Sequence, residues 1–319
     1  MSERRPAIGI DVGGTKIAAL LVGRDGSVLA REIRHTPAED QQATLDAMVG
    51  AARAIATTDV VGIGVAAAGM VDLGGLMRYA PNLAWRDTPL APFVGDALGL
   101  PALADNDGNA AAWGEFRHGA GQGSRQLLMV SVGTGIGGGL VLDGALYRGA
   151  NGFAAEIGHI VVEPDGLRCG CGNRGCWELV ASGSAITRQG MNAAARHPHS
   201  LLRELSGGIP ESVTGSMVTE AARAGDTVSR GIFVEVGHRL GVGIAGLVNV
   251  LDPDAVVVGG GASEAGELLL APARDAFRRA VEGPGERPEV PILQAALGND
   301  AAAIGVAALV LARLEGGAG

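Results

Sequence analysis

Ala7-Ile8-Gly9-Ile10-Asp11-Val12-Gly13-Gly14-Thr15-Lys16-Ile17-Ala18-Ala19-Leu20-Leu21-Val22 opens the chain, and Leu127-Leu128-Met129-Val130-Ser131-Val132-Gly133-Thr134-Gly135-Ile136-Gly137-Gly138-Gly139-Leu140-Val141-Leu142 repeats its plan. Each stretch is an apolar run, a glycine turn and a second apolar run, which reads as strand, turn, strand: Ala7 to Asp11 with Lys16 to Val22, then Leu127 to Val132 with Gly138 to Leu142. In both copies a third strand follows a second turn, Val28 to Ile33 after Asp25-Gly26 and Ala145 to Arg148 after Asp143-Gly144. The chain is internally duplicated.

Working outward, helical apolar spacing covers Glu39 to Ala56, a β-branched run covers Val60 to Ala66, and a strand from Pro101 to Ala104 leads into a helix from Asn109 to Phe116. The first half thus reads βββαβαβα. After the second copy, an insertion of roughly 100 residues carries several helices and all three cysteines. Strands Val256 to Val258 and Ile292-Leu293 follow, with helices Glu264 to Val281 and Asp300 to Leu314. Two α/β lobes are expected, residues 1–118 and 119–319, with helix 300–314 able to pack back on the first lobe. Ligands collect between domains and beyond the carboxyl ends of parallel strands, so a two-substrate cleft follows.

Composition narrows the function. With 3% aromatic residues, a net charge of -9 and no block of lysine and arginine, the chain offers neither stacking platforms nor a basic surface, which excludes a nucleic-acid partner. The longest apolar stretches, Leu240 to Leu251 and Ala301 to Ala312, run about a dozen residues, below the roughly 18–20 that cross a bilayer. They read as buried helices. Only six residues precede the first strand, too few for a signal peptide, so a cytoplasmic protein without a membrane partner is expected.

Four groups of residues carry chemistry. Asp11 ends a strand beside Gly13 and Gly14, whose bare backbone lets an anion approach; Thr15 and Lys16 add donors, and Asp11 suits magnesium held through water. Gly133-Thr134-Gly135 is the second such turn, and Gly259-Gly260-Gly261 a third glycine cluster where a strand opens into a helix. Asp105-Asn106-Asp107 sits between strand and helix, where one cap is ordinary and three polar residues are an excess. Asn106 offers a donor and an acceptor to a polyol, and Asp107 a proton acceptor.

The fourth group is Cys169, Cys171 and Cys176 with His159 upstream, a complete tetrahedral zinc set within a glycine-rich loop. An odd count at short spacing argues against a disulfide framework. Glu156 and His159 share a face if their segment is helical, Glu178 lies just past the cysteines, and zinc on one ring nitrogen of His159 would aim the other outward.

On these residues the chain resembles the ROK family of sugar kinases, within the actin-like ATPase superfamily. The likeness covers nearly the whole chain. It rests on Asp11 to Lys16, Asn106-Asp107, Gly133 to Gly139, Glu156-Ile157-Gly158-His159, and Cys169 through Glu178. It implies two RNase-H-like lobes, ATP and magnesium in the cleft, a hexose below and a structural zinc. Asp107 becomes the base, with Asn106, Glu156, His159 and Glu178 on sugar hydroxyls and Gly69 and Asn82 as further sugar contacts. ATP would lie on Asp11, Gly13, Gly14, Thr15, Lys16, Gly133, Thr134, Gly135, Gly260 and Gly261. The implied activity is phosphorylation of the 6-hydroxyl of glucose, in a homodimer or dimer of dimers. Kinases for N-acetylmannosamine and other hexoses share these motifs. Sugar-responsive regulators share the sugar lobe but carry an N-terminal DNA-binding domain, for which Asp11 comes too early here.

Overall fold

The computed structural model describes residues 5–316. Strands β1 (Ala7–Val12), β2 (Lys16–Val22) and β3 (Val28–His35) form an antiparallel meander, and Gly13 N–H closes the first turn on the Lys16 carbonyl at 3.0 Å. Helix α1 (Gln41–Ile55) follows, its first turn capped by the Asp40 carboxylate, which accepts from Ala43 N–H. Strand β4 (Ile63–Ala67) then pairs parallel with β1.

The chain next departs from the sequence expectation. A separate three-stranded sheet, β5 (Met70–Val71), β6 (Leu76–Tyr79) and β7 (Arg86–Pro89), precedes α2 (Leu90–Leu98). Its strands span two to four residues and hold Arg78, Arg86 and Asp87, so no alternation of apolar residues announces them. Pro92 and Gly95 likewise mask α2. Strand β8 (Ala102–Asn106) and α3 (Asp107–His118) close the first half, giving a sheet in the order β3-β2-β1-β4-β8.

The second half repeats it. Strands β9 (Leu127–Val132), β10 (Ile136–Leu142) and β11 (Ala145–Leu146) take the places of β1, β2 and β3, and the two-residue turn between β10 and β11 has Asp143 at φ 53° and Gly144 at φ 77°, both left-handed as a type I′ hairpin requires. The insertion carries α4 (Glu178–Ala181), α5 (Gly183–Arg196), α6 (Leu201–Leu205), α7 (Gly215–Arg223) and α8 (Thr227–Leu251). Strand β12 (Ala255–Gly259), helix α9 (Glu267–Ala280), β13 (Ile292–Gln294) and α10 (Ala301–Leu314) complete the chain. The second sheet runs β11-β10-β9-β12-β13, strand for strand the order of the first. This is the mixed α/β architecture of the actin-like ATPase type.

The chain forms two compact units, and neither is one continuous segment. The first takes the described residues up to Met129, Gly138–Ala155 and those from Ala296 onward; the second takes Val130–Gly137 and Glu156–Ala295. A single boundary at residue 118 does not describe this division. Helix α10 packs on α3 and β1, inside the first unit.

That placement follows from β1 being buried on both faces. Ile8, Ile10 and Val12 pack with Leu45, Met48 and Val49 of α1, while Ala7 on the opposite face shares a core with Leu20, Ile304, Ala307 and Leu311. A strand pleats with period two, so each face needs its own cover. Gly9 belongs to the α10 face, where an added Cβ would stand 1.8 Å from the Ala303 carbonyl oxygen.

Helix α8 is also longer than the apolar run Leu240 to Leu251 that announced it. Asp226 caps its start by accepting from Ser229 N–H, and polar residues in its first half hide that half from a hydropathy reading. At 25 residues with an 18-residue window of mean hydropathy 1.4, it has the length and composition to cross a bilayer. Here 56% of that window is buried, against α9, α7, α5 and α4. It is a core helix of the second unit.

Gly9→Ala should therefore lower stability by at least the roughly 1–3 kcal/mol of ordinary overpacking, because the obstacle is backbone and cannot rotate away. Chemical denaturation checks this, and an unchanged midpoint would contradict the packing of α10 on β1.

Candidate active site

In the first unit the carboxyl ends of β1 and β8 bring together residues almost 100 positions apart. Asp11 leaves β1 just before the Gly13-Gly14 turn, and Asp107 is the first residue of α3. They are electrostatic neighbours: desolvation, then the Asp107 carboxylate, pushes Asp11 up to about 7. Desolvation also raises Asp107 above the usual carboxylate range, against the pull of the Gly108 N–H at 3.0 Å. A carboxylate tuned upward is a better proton acceptor near neutral pH. Thr15 and Lys16 are exposed on the turn, and the Thr36 hydroxyl braces it by donating to the Gly13 carbonyl at 2.8 Å.

Asn106 serves the backbone first. Its Oδ1 accepts from Gly108 N–H at 2.8 Å and Asn109 N–H at 3.1 Å, capping α3, and its Nδ2 donates to the Gly69 carbonyl at 3.0 Å. Its side chain also bonds to the Asp107 carboxylate, favouring the charged form against desolvation. The bond to Gly69 draws the end of β4 toward Asp107, and Asn82 lies against the first glycine turn, with an added Cβ on Gly14 only 3.0 Å from the Asn82 Cβ. The structure thus gathers Asp11, Gly13, Gly14, Gly69, Asn82, Asn106 and Asp107 in one unit. Its oxygen donors suit magnesium at Asp11.

Sequence reasoning assigned no role to two groups here. Asp300, just before α10, adds a negative charge near Asp11 and is itself paired with Arg31. Asp105 is buried under the cap and bonded to Arg148. Three polar residues in succession were the signal for Asp105; Arg148 had none, lying over 40 positions away.

The second unit holds the other group. Gly133 N–H closes its turn on the Gly135 carbonyl at 3.0 Å, and Gly183 N–H, at the start of α5, donates to the Gly133 carbonyl at 2.8 Å. Thr134 is left exposed at the tip. Gly260 adopts φ 81° after β12, close against Val132, and Gly261 opens a short 3-10 turn ahead of α9. Both glycine clusters therefore lie at the carboxyl ends of β9 and β12.

His159, Cys169, Cys171 and Cys176 present ligand atoms that all lie within 4.8 Å of one another. The His159 Nδ1 to Cys169 Sγ distance is 3.7 Å and Cys171 Sγ to Cys176 Sγ 3.6 Å. Four ligands at about 2.0–2.3 Å from a tetrahedral zinc stand about 3.4–3.8 Å apart, so spacing and donor chemistry both fit zinc. Burial first, then hydrogen bonds with Glu178 and the neighbouring thiols, push Cys169 up to about 12, and burial with the nearby Cys171 and Glu178 raises Cys176, so the thiolates a metal needs call for a cation among them. The loop is anchored by the buried Trp177, whose Nε1 donates to the Arg239 carbonyl of α8 at 3.0 Å.

Glu156 and His159 flank a single 3-10 turn, with His159 Nε2 4.0 Å from Glu156 Oε2, so Nδ1 faces the cysteines and Nε2 faces the acid. Glu178 opens α4, its Oε1 3.0 Å from Cys169 Sγ and 3.7 Å from His159 Nδ1. Its other oxygen passes under the second glycine turn, where a Cβ on Gly135 would meet Oε2 at 2.3 Å. The turn, the acid and the cysteine cluster are one packed group.

A duplicated sheet with a glycine turn in each copy and an acid at the first unit's strand ends defines a two-lobed phosphate-handling protein of the actin-like ATPase class. The chain belongs to the ROK family, whose family model matches residues 7–313. It is 41% identical over 306 residues to a glucokinase of Streptomyces coelicolor, covering 95% of this chain and 96% of the relative. The crystal structure of a ROK family glucokinase from Streptomyces griseus in complex with glucose and AMPPNP superposes with a TM-score of 0.88 at 43% identity, covering 95% of this chain and 98% of that one. A xylose repressor of Bacillus subtilis is 28% identical over 312 residues, covering 96% of this chain and 77% of the repressor.

Metal analysis of the purified protein should return one zinc per chain, and Cys171→Ser should release it without unfolding the first unit. Protein that carries no zinc as isolated would discard the cluster as a metal site.

Proposed function

We propose that the protein is an ATP-dependent glucokinase that transfers the γ-phosphoryl group of ATP to the 6-hydroxyl of glucose. The observation that carries this reading is Asp107: a carboxylate held above its ordinary range, at the start of a helix, beside Asp11 and the first glycine turn. Likeness to a glucokinase that binds glucose and AMPPNP supports the substrates. The Asp107 carboxylate takes the proton of the sugar hydroxyl as that oxygen bonds to the γ-phosphorus, and the bond from phosphorus to the ADP oxygen breaks. Gly13, Gly14, Thr15 and Lys16, with Gly133, Thr134 and Gly135, orient the phosphates, and Gly260 and Gly261 flank the nucleotide. Magnesium, held by Asp11 through water, would neutralise phosphate charge.

Asn106, Glu156, His159 and Glu178 bind sugar hydroxyls, with Gly69 and Asn82 beside them. His159, Cys169, Cys171 and Cys176 would hold one zinc, and so held, the ring of His159 and the loop bearing Glu178 would be fixed in place. The reading places the enzyme in the cytoplasm as a homodimer or dimer of dimers, supplying sugar phosphate to glycolysis. A second hexose, such as N-acetylmannosamine, is the alternative substrate that shared family motifs favour. The likeness to the xylose repressor favours a sugar-responsive regulator as a third reading.

An ADP-release assay across glucose, mannose, fructose, N-acetylglucosamine and N-acetylmannosamine ranks the substrates. Glucose should give the highest kcat/KM, and sugar binding without turnover of any of them would favour the regulator. Asp107→Ala should lower kcat by about 10²–10⁴ while glucose still binds. Turnover within threefold of wild type removes Asp107 from the chemistry.

The pH profile has a definite sign. Both carboxylates act in their charged forms and both are raised, so activity is lost as pH falls, through a limb near the value of about 7 for Asp11 rather than near the 3.8 of an ordinary aspartate. Excess magnesium competes with the proton on Asp11 and should move that limb to lower pH. A profile flat down to pH 5 would contradict it.

A further inference from the structure

Asp105 lies two residues before the base and is 4% exposed, and both its oxygens are engaged. Oδ1 accepts from the Asn106 backbone N–H at 2.8 Å and from Asn109 Nδ2 at 2.9 Å; Oδ2 accepts from Arg148 Nε at 2.6 Å. Asn106 immediately precedes Asp107 and Asn109 follows it by two, so one buried carboxylate grips the chain on both sides of the base. Arg148 reaches it from the segment just after β11, its own side chain 23% exposed.

This grip exceeds what starting a helix requires. Asn106 already caps α3 through two backbone N–H groups. A buried ion pair carries a desolvation cost that packed apolar residues of the same volume avoid, so stability alone is a weak reason for it. Charge-assisted bonds of this kind fix direction as well as distance. Direction is what a proton acceptor needs, since a displacement of about 1 Å at a reacting group can cost about 10²-fold in rate.

We propose that Arg148, acting through Asp105, is a positioning residue for the base: it locks the first turn of α3 and so aims the Asp107 carboxylate. The inference rests on the reading of Asp107 as the base. Arg148 touches no reacting atom in it. Removing the guanidinium leaves Asp105 charged, buried and without its ionic partner, and the strand-to-helix junction rearranges to give that carboxylate water.

The test is a double-mutant cycle on the full-length, zinc-loaded protein, assayed well below its melting temperature. Arg148→Met should lower kcat at least tenfold, with KM for glucose and for ATP within threefold of wild type and zinc content unchanged. In the Asp107→Asn background the same substitution should lower the residual turnover no further, because the carboxylate it aims is gone; a merely structural loss would multiply. Where Arg148→Met does not fold, Arg148→Gln is read in the same way. A kcat within threefold of wild type, a rise in glucose KM without loss of kcat, or losses that multiply across the cycle each overturn the inference. Full turnover in Asp107→Asn itself would instead overturn the base, a separate outcome.

Discussion

The structure depends on hiding both faces of β1. A strand of Ala, Ile, Gly, Ile, Asp and Val that pairs antiparallel on one edge and parallel on the other has no side to give to water. One face takes α1 from the next segment of chain, and the other takes α10 from the far end of the sequence. With both faces covered, polar groups are tolerated only at the strand's carboxyl end. Asp11 sits there, and β8, two strands across in the same sheet, delivers Asn106 and Asp107 to the same end. The placement of the acids is a result of sheet topology before it is a result of chemistry.

Each polar side chain at that end works twice. Asn106 caps a helix and ties down Gly69; Asp11 ends a strand and answers electrostatically to Asp107. In the second unit Glu178 starts a helix, touches the cysteine cluster and fills the space beneath the second glycine turn. Such double use stiffens the site, because neither Asn106 nor Glu178 can move toward a ligand without releasing a structural contact. It also explains why Gly135 is bare: a methyl group there would collide with a carboxylate oxygen and not with the backbone, so the chain would fold and the acid would shift.

Much of this was legible in the residues, for a physical reason in each case. Glycine turns between apolar runs mark hairpins: Gly26 and Gly144 take φ of 81° and 77°, which few other residues adopt, while Gly13, Gly14, Gly133 and Gly135 are legible from the apolar runs on either side, so β1, β2, β9 and β10 stand out within a residue or two. Cysteines spaced two and five apart are read as ligands because so few other structures want them together, and the structure brings them to within 4.8 Å with His159. What stayed hidden lacks local pattern. The sheet of β5, β6 and β7 has strands too short to show a period, and the first half of α8 is polar enough to conceal a 25-residue helix. Arg148 and Asp105 meet only after folding, and nothing in a run of sequence announces a partner 43 positions away.

The packing of α10 on β1 has a consequence for the order in which the protein is made. Synthesis proceeds from the amino end, so the first sheet emerges before the second unit, yet the helix that covers one of its faces emerges only after residues 130–295. Until residues 301–314 appear, Ala7, Leu20 and Val22 remain uncovered. The second unit lies wholly between residues 130 and 295 and is complete before that. Of the two units, the one whose sequence begins first therefore finishes folding second, and a nascent chain must carry an exposed apolar sheet while the whole of the other unit is made.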